Sequence, residues 1–179
     1  ALAEGVYDVA VTATDAVGNA SLDATFNELN LDLTAPIVTI APIITNVVSP
    51  SLNGTVNDNL AAISLVVDGQ AVVAVNNGNG TWTLAAGVLT PLAEAIYDVA
   101  VSATDPAGNV GVDATTNELR INLSAPTVTV NVLVTKDQTP SLTGTVSVVS
   151  ATVSVTVAGQ TVAATNNGDG TWTLADDVL

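Results

Sequence analysis

The 179-residue chain carries 17 acidic and 2 basic side chains, Arg120 and Lys136, for a net charge of −15, and it contains no His, Cys or Met. Nucleic-acid affinity rests on Lys and Arg neutralising phosphates, so nucleic acid is excluded as a partner, and an anionic membrane surface repels this chain for the same reason. Without Cys there are no disulfides, thiol catalysis or thiolate metal sites, and 48% hydrophobic residues against 11% charged exclude a disordered acidic tail.

No apolar run reaches the ~20 residues of a membrane span. The start at Ala1 lacks the basic region and apolar core of a signal peptide, so targeting information is expected outside these residues. A period of 90 residues controls everything else. Of the 35 pairs from Leu2/Leu92 to Pro36/Pro126, 22 are identical, and 37–89 matches 127–179 without a gap: Gly54 with Gly144, Trp82 with Trp172, Leu89 with Leu179. Three pieces follow: 1–35 as the C-terminal part of one repeat, 36–125 as a complete repeat, and 126–179 as the N-terminal part of another. The seams are Thr34-Ala35-Pro36 and Ser124-Ala125-Pro126, linkers of two or three residues that are too short to let neighbours swing freely.

In chain order, 1–35 holds a hairpin that returns at 97–126. The complete repeat then predicts seven strands. The first spans 37–44, with Pro42 marking an edge or kink, and the second spans 51–56. After the loop Asn57-Asp58-Asn59-Leu60, a third strand over 63–67 leads through Asp68-Gly69, a two-residue hairpin signal, into 71–75. The turn cluster Asn76-Asn77-Gly78-Asn79-Gly80 precedes a strand over 81–84, and a longer connection over 86–95 precedes the last two. In the penultimate strand Val99, Val101 and Ala103 alternate with Ala100, Ser102 and Thr104, the period-2 pattern of a strand buried on one face. Asp105-Pro106-Ala107-Gly108-Asn109 supplies turn chemistry.

Short strands with turn signals every ~8–12 residues indicate an all-β fold: tandem antiparallel β-sandwiches. Tyr97, like Tyr7, stands at the entry to the penultimate strand, as in the tyrosine corner of immunoglobulin-like domains. Val99 occupies the place of the second Cys of an antibody domain, so apolar packing alone must hold the core, with Trp82 and Trp172 its largest members.

The runs LAEGVYDVAVTATDAVGN, NELNLDLTAP and NNGNGTWTLAAGVL resemble the tandem Ig-like repeats of very large bacterial surface adhesins and biofilm proteins. The resemblance covers essentially the whole chain. It implies export to the cell surface, a structural extender role between neighbouring repeats, like-chain association in a fibre, and calcium at the joints. In an Ig-like sandwich, the loop after strand two and the loop between the last two strands lie at the N-terminal pole. Those loops carry Asp58, Asp105 and Asn109, and the preceding repeat's last strand arrives with Asp32 and Glu28. Calcium takes six to eight oxygens, so three converging acidic segments make these five residues the candidate ligands. At the second joint Asp32 becomes Asn122 and Asp58 falls in the Val148 region, a poorer site.

Catalysis would fall on carboxylates alone, and these sit in turns and strand ends, so no enzyme is expected. Lys136 is the only lysine, and its counterpart is Asn46, which argues against a Lys–Asn crosslink. The alternative reading is a carbohydrate-binding module with Trp82 as its platform. An exposed Trp favours that reading, a buried one the spacer. Because 1–35 holds two strands and 126–179 five, the chain reads as a window on a longer array, or as chains completing one another by strand complementation.

Overall fold

A computed structural model describes residues 1–179. It contains strands and no helix, and it divides into two compact units, Ala1–Leu123 and Ser124–Leu179.

In the first unit, β1 (Gly5–Tyr7) pairs antiparallel with β4 (Leu29–Leu31), and β2 (Thr12–Thr14) pairs with β3 (Ala20–Leu22). Ten strands follow: β5 (Val38–Ile40), β6 (Ile43–Thr45), β7 (Leu52–Val56), β8 (Ala62–Val67), β9 (Gln70–Asn76), β10 (Thr81–Leu84), β11 (Ala95–Tyr97), β12 (Val99–Thr104), β13 (Val110–Val112) and β14 (Leu119–Ile121). One sheet runs β13-β12-β8-β9-β10-β7-β5, and a smaller one runs β11-β14-β6. β9 carries the long sheet round its corner, pairing with β8 over Gln70 to Ala74 and with β10 at Val75 and Asn76.

The seven strands expected from sequence become ten because three of them break. Pro42 has no N–H to give a ladder, so the first divides there. β5 pairs antiparallel with β7, and after the break β6 pairs parallel with β14. The last two strands each divide where a carboxylate replaces the ladder. Asp98 Oδ1 accepts from Asn117 N at 2.7 Å, and Glu118 Oε2 accepts from Val99 N at 3.0 Å. The same pair recurs as Asp8 with Asn27 N and Glu28 with Val9 N.

The core lies between the layers. Alternate residues point inward: Leu52, Gly54 and Val56 on β7, Ile63, Leu65 and Val67 on β8, Val99, Val101 and Ala103 on β12. Trp82 is fully buried, and its Nε1 donates to Thr39 O at 2.9 Å. Gly54 lies beneath it because a Cβ there would stand 1.9 Å from Thr39 O. The Asp68-Gly69 turn has φ of 49° and 74°, the two left-handed residues of a type I′ hairpin. Tyr97 is half-buried against the core, and its hydroxyl donates to Ala93 O at 3.1 Å, as Tyr7 does to Ala3 O at 2.8 Å.

The second unit forms a four-stranded sheet from β15 (Leu142–Thr145), β16 (Val153–Val157), β17 (Gln160–Asn166) and β18 (Thr171–Leu174), ordered β15-β18-β17-β16. Trp172 repeats the contact of Trp82, with Nε1 donating to Thr129 O at 2.9 Å. The strand expected after Pro126 is held beside β15 only over its first part, with Thr129 N donating to Thr145 O at 3.0 Å and Asn131 N to Thr143 O at 2.9 Å, and Val134 beyond it is exposed. Its counterpart β6 is held by β14, a strand that this unit does not contain. Equivalent positions one period apart differ in cover: Val9 and Val11 are 42% and 57% exposed, while Val99 and Val101 are 1% and 2%.

Candidate functional site

The seam at Thr34–Pro36 is seated, not loose. Pro36 is buried, and Gly111 of β13 packs so closely that a Cβ would stand 1.7 Å from Pro36 O. Asn57 holds the next residue at both ends: Oδ1 accepts from Ile37 N at 2.7 Å, and its own N–H donates to Ile37 O at 3.1 Å. On the preceding side, Asp32 Oδ1 accepts from Thr34 N at 3.0 Å, and the Thr34 hydroxyl donates to Glu4 Oε2 at 2.7 Å.

Around this seam the five candidate ligands separate into three groups. Asp32 and Asp58 line one open cavity of about 560 Å³ with Asn30, Leu60, Pro106 and Ala107, and they line a neighbouring one with Glu4 and Asn57. Asp58 Oδ1 accepts from Leu60 N at 2.8 Å. Each of these two carboxylates thus spends Oδ1 on its own loop and leaves Oδ2.

Asp105 and Asn109 form the second group. Asp105 is buried, with Oδ1 accepting from Asn109 N at 2.8 Å and Oδ2 from Asn109 Nδ2 at 2.8 Å. Burial pushes its carboxyl up, but the bonds from Asn109, Gly108 and Ala107 outweigh that and hold it below the usual carboxylate range. Both oxygens are thereby engaged in the turn. Asn109 Nδ2 also donates to Asp32 O at 3.0 Å, crossing the seam.

Glu28 stands apart, its Oε2 accepting from Val9 N at 2.9 Å inside its own repeat. The complete repeat shows what that position does. Its counterpart Glu118 is 3% exposed, and Oε1 has no hydrogen-bond partner. Desolvation raises the Glu118 pKa, but the Val99 amide, its own amide and Thr115 lower it further, leaving it below the ordinary value. No three acidic side chains converge into a group that could hold a metal ion. Asp32 and Asp58 share a cavity lining, whereas Asp105, expected beside them, has both carboxylate oxygens bonded by Asn109 in its own turn.

Sequence reading missed three participants: Asn57 as the linker's anchor, the Asp98/Glu118 clamp, and the main-chain carbonyl of Asp32. A signal for the clamp existed, since Asp8, Asn27 and Glu28 recur as Asp98, Asn117 and Glu118. Trp82, the candidate sugar platform, is sealed in the core.

Residues 41–123 match the family described as the bacterial Ig-like domain. Among curated proteins, none matches the sequence. A solved structure from a 1.5-MDa bacterial ice-binding adhesin is similar at 24% identity and TM-score 0.47, over 81% of this chain and 54% of that one. A Ca2+-stabilized adhesin with which an Antarctic bacterium reaches out and binds ice is similar at 23% identity and TM-score 0.42, over 92% and 46%. A tetra-tandem repeat from the extending region of a large adhesion protein gives 25% identity and TM-score 0.43, over 92% and 46%. The chain spans about half the length of these structures. No helix is long and apolar enough to cross a membrane.

Proposed function

From the premise that residues 41–123 form a bacterial Ig-like domain, we propose that this chain is a non-catalytic run of extender repeats in a large extracellular bacterial adhesin or surface fibre. Its work is to hold distance, with each repeat docked on the next. One observation carries the reading: the seam is a packed joint in which the Pro36 carbonyl lies against Gly111 and Asn57 grips Ile37 at both ends. A spacer needs such seams, whereas a binding module has no use for them. The burial of Trp82 leaves the carbohydrate reading without its platform.

Calcium belongs to this proposal as a stiffener of the joint. The donor set fits in part. Asp32 and Asp58 would supply carboxylate oxygen from opposite sides of the seam, with Asn30 beside them and water completing the shell. Bound there, the ion would offset two like charges and tie one repeat to the next. Asp105, Asn109 and Glu28 would contribute by shaping the scaffold. The net charge of −15 would keep neighbouring fibres soluble and apart.

The test is calorimetric titration of calcium into the full chain and into Asp58→Asn, with small-angle scattering with and without chelator. Binding heat that disappears in the variant, with a wider spread of dimensions once calcium is removed, supports both parts. No heat with the native chain removes calcium from the account. A broad, flexible scattering profile in calcium as well as in chelator removes the stiff spacer.

A further inference from the structure

Asn109 is the one side chain whose hydrogen bonds reach from the β12–β13 turn of the complete repeat into the end of the repeat before it. A side-chain amide has two N–H donors. Here one goes to Asp105 Oδ2 and the other to the Asp32 main-chain carbonyl. Asp105 is buried and fixed in turn by the Asn109 backbone amide, so the carboxylate aims the donor.

We propose that the Asp105–Asn109 pair is a docking latch that recognises the preceding repeat through its backbone, and that it works without calcium. Two observations carry this. The first is preorganisation. The matching turn of the 1–35 hairpin has the same geometry, Asn19 N to Asp15 Oδ1 at 2.8 Å and Asn19 Nδ2 to Asp15 Oδ2 at 2.7 Å, with both residues exposed. The donor is therefore set before anything docks on it, and little ordering cost is left for the moment of contact.

The second is what the latch reads. A carbonyl oxygen is the same whichever side chain its residue carries. At the equivalent place in the next copy Asp32 is replaced by Asn122, a change that discards a carboxylate but keeps the carbonyl. The partner is thus the end of any repeat that brings a main-chain carbonyl to this register.

The inference rests on the spacer reading for its use, and the experiment separates the two. The chain has no Cys, so Val17→Cys and Val73→Cys, at two well-exposed positions on either side of the seam, can be spin-labelled cleanly. The distance distribution is measured in calcium and in chelator for this labelled chain and with Asn109→Ala, Asn109→Asp or Asp32→Asn added. Asn109→Asp preserves shape while setting an acceptor against the Asp105 carboxylate and the Asp32 carbonyl. In chelator we expect one narrow distance for the parent and for Asp32→Asn, and loss of that peak in both Asn109 variants. A parent that is narrow in calcium but broad in chelator overturns the latch and leaves the spacer reading standing. So does an Asn109→Asp chain as narrow as the parent in chelator. A parent that is broad in both conditions overturns the stiff joint itself.

Discussion

Glu118 sits where simple alternation fails. Leu119 faces the core, so its neighbour should face water, yet both are buried because the strand leaves one sheet for another at this point. The carboxylate is kept charged by the amides around it, and its folded pKa lies below the unfolded value. Its stabilisation is therefore present above the ordinary Glu pKa of about 4.3 and lost as pH falls through the lower folded value. We expect the urea midpoint to fall between roughly pH 5 and pH 2, with a shallower fall in Glu118→Gln. Identical slopes would mean that Glu118 contributes nothing to acid sensitivity. Trp82→Ala should cost about 3–5 kcal/mol in chemical denaturation, the usual loss for a large core aromatic. That Trp82 is core was legible from a chain with so few aromatics. Glu118 was not, because its role depends on a strand break that propensity does not encode.

At the scale of elements, turns were the most legible part. Asp68-Gly69 announced the β8–β9 hairpin, and both residues take the left-handed backbone that such a turn needs. The β16–β17 hairpin makes the same turn with Ala158 at φ 49°, where a Cβ is unwelcome. Ala158→Asn should therefore stabilise the second unit by about 1 kcal/mol, read as a raised urea midpoint; an unchanged midpoint would show the strain relieved elsewhere. Gly111→Ala should do the opposite at the seam. Its Cβ has no room beside Pro36 O, so the linker must lift from β13, and hydrogen exchange at Ile37 should accelerate. The strand breaks were harder to read. Pro42 marked one, while those before Val99 and after Val112 come from side chains that compete with the ladder, a contest settled by tertiary contacts.

For the whole molecule, the 90-residue period was the strongest signal, and the uncovered strands of residues 1–35 and 126–179 give it a consequence. Residues 1–35 expose Val9 and Val11, and residues 126–179 leave Val153 and Val155 half-covered, at the positions where the complete repeat joins β8 to β12. Shifted by one period, that register would pair 152–157 of one copy with 9–14 of another. This contact is heterologous, joining different surfaces of two copies, so each added chain leaves a face for the next. The isolated chain should form a concentration-dependent ladder of oligomers in light scattering, and Val11→Asp should collapse the ladder to monomer. A monomer at all concentrations would show that the two faces do not recognise each other. What the sequence could not supply was the seam's chemistry, because hydrogen bonds to a carbonyl leave no trace in residue type.

The change of partner at Pro42 sets how the repeat bears tension. β6, near its N-terminal side, and β14, at its C-terminal side, lie parallel and hydrogen-bonded, with Ile43 N donating to Glu118 O at 2.7 Å and Asn122 N to Thr45 O at 2.9 Å. When a repeat is pulled by its two ends, parallel neighbours slide lengthwise, so their bonds are loaded together and must yield together. An antiparallel pair opened from one end would surrender them singly. The short β6–β14 ladder is thus the clasp that resists first when residues 36–123 are stretched lengthwise.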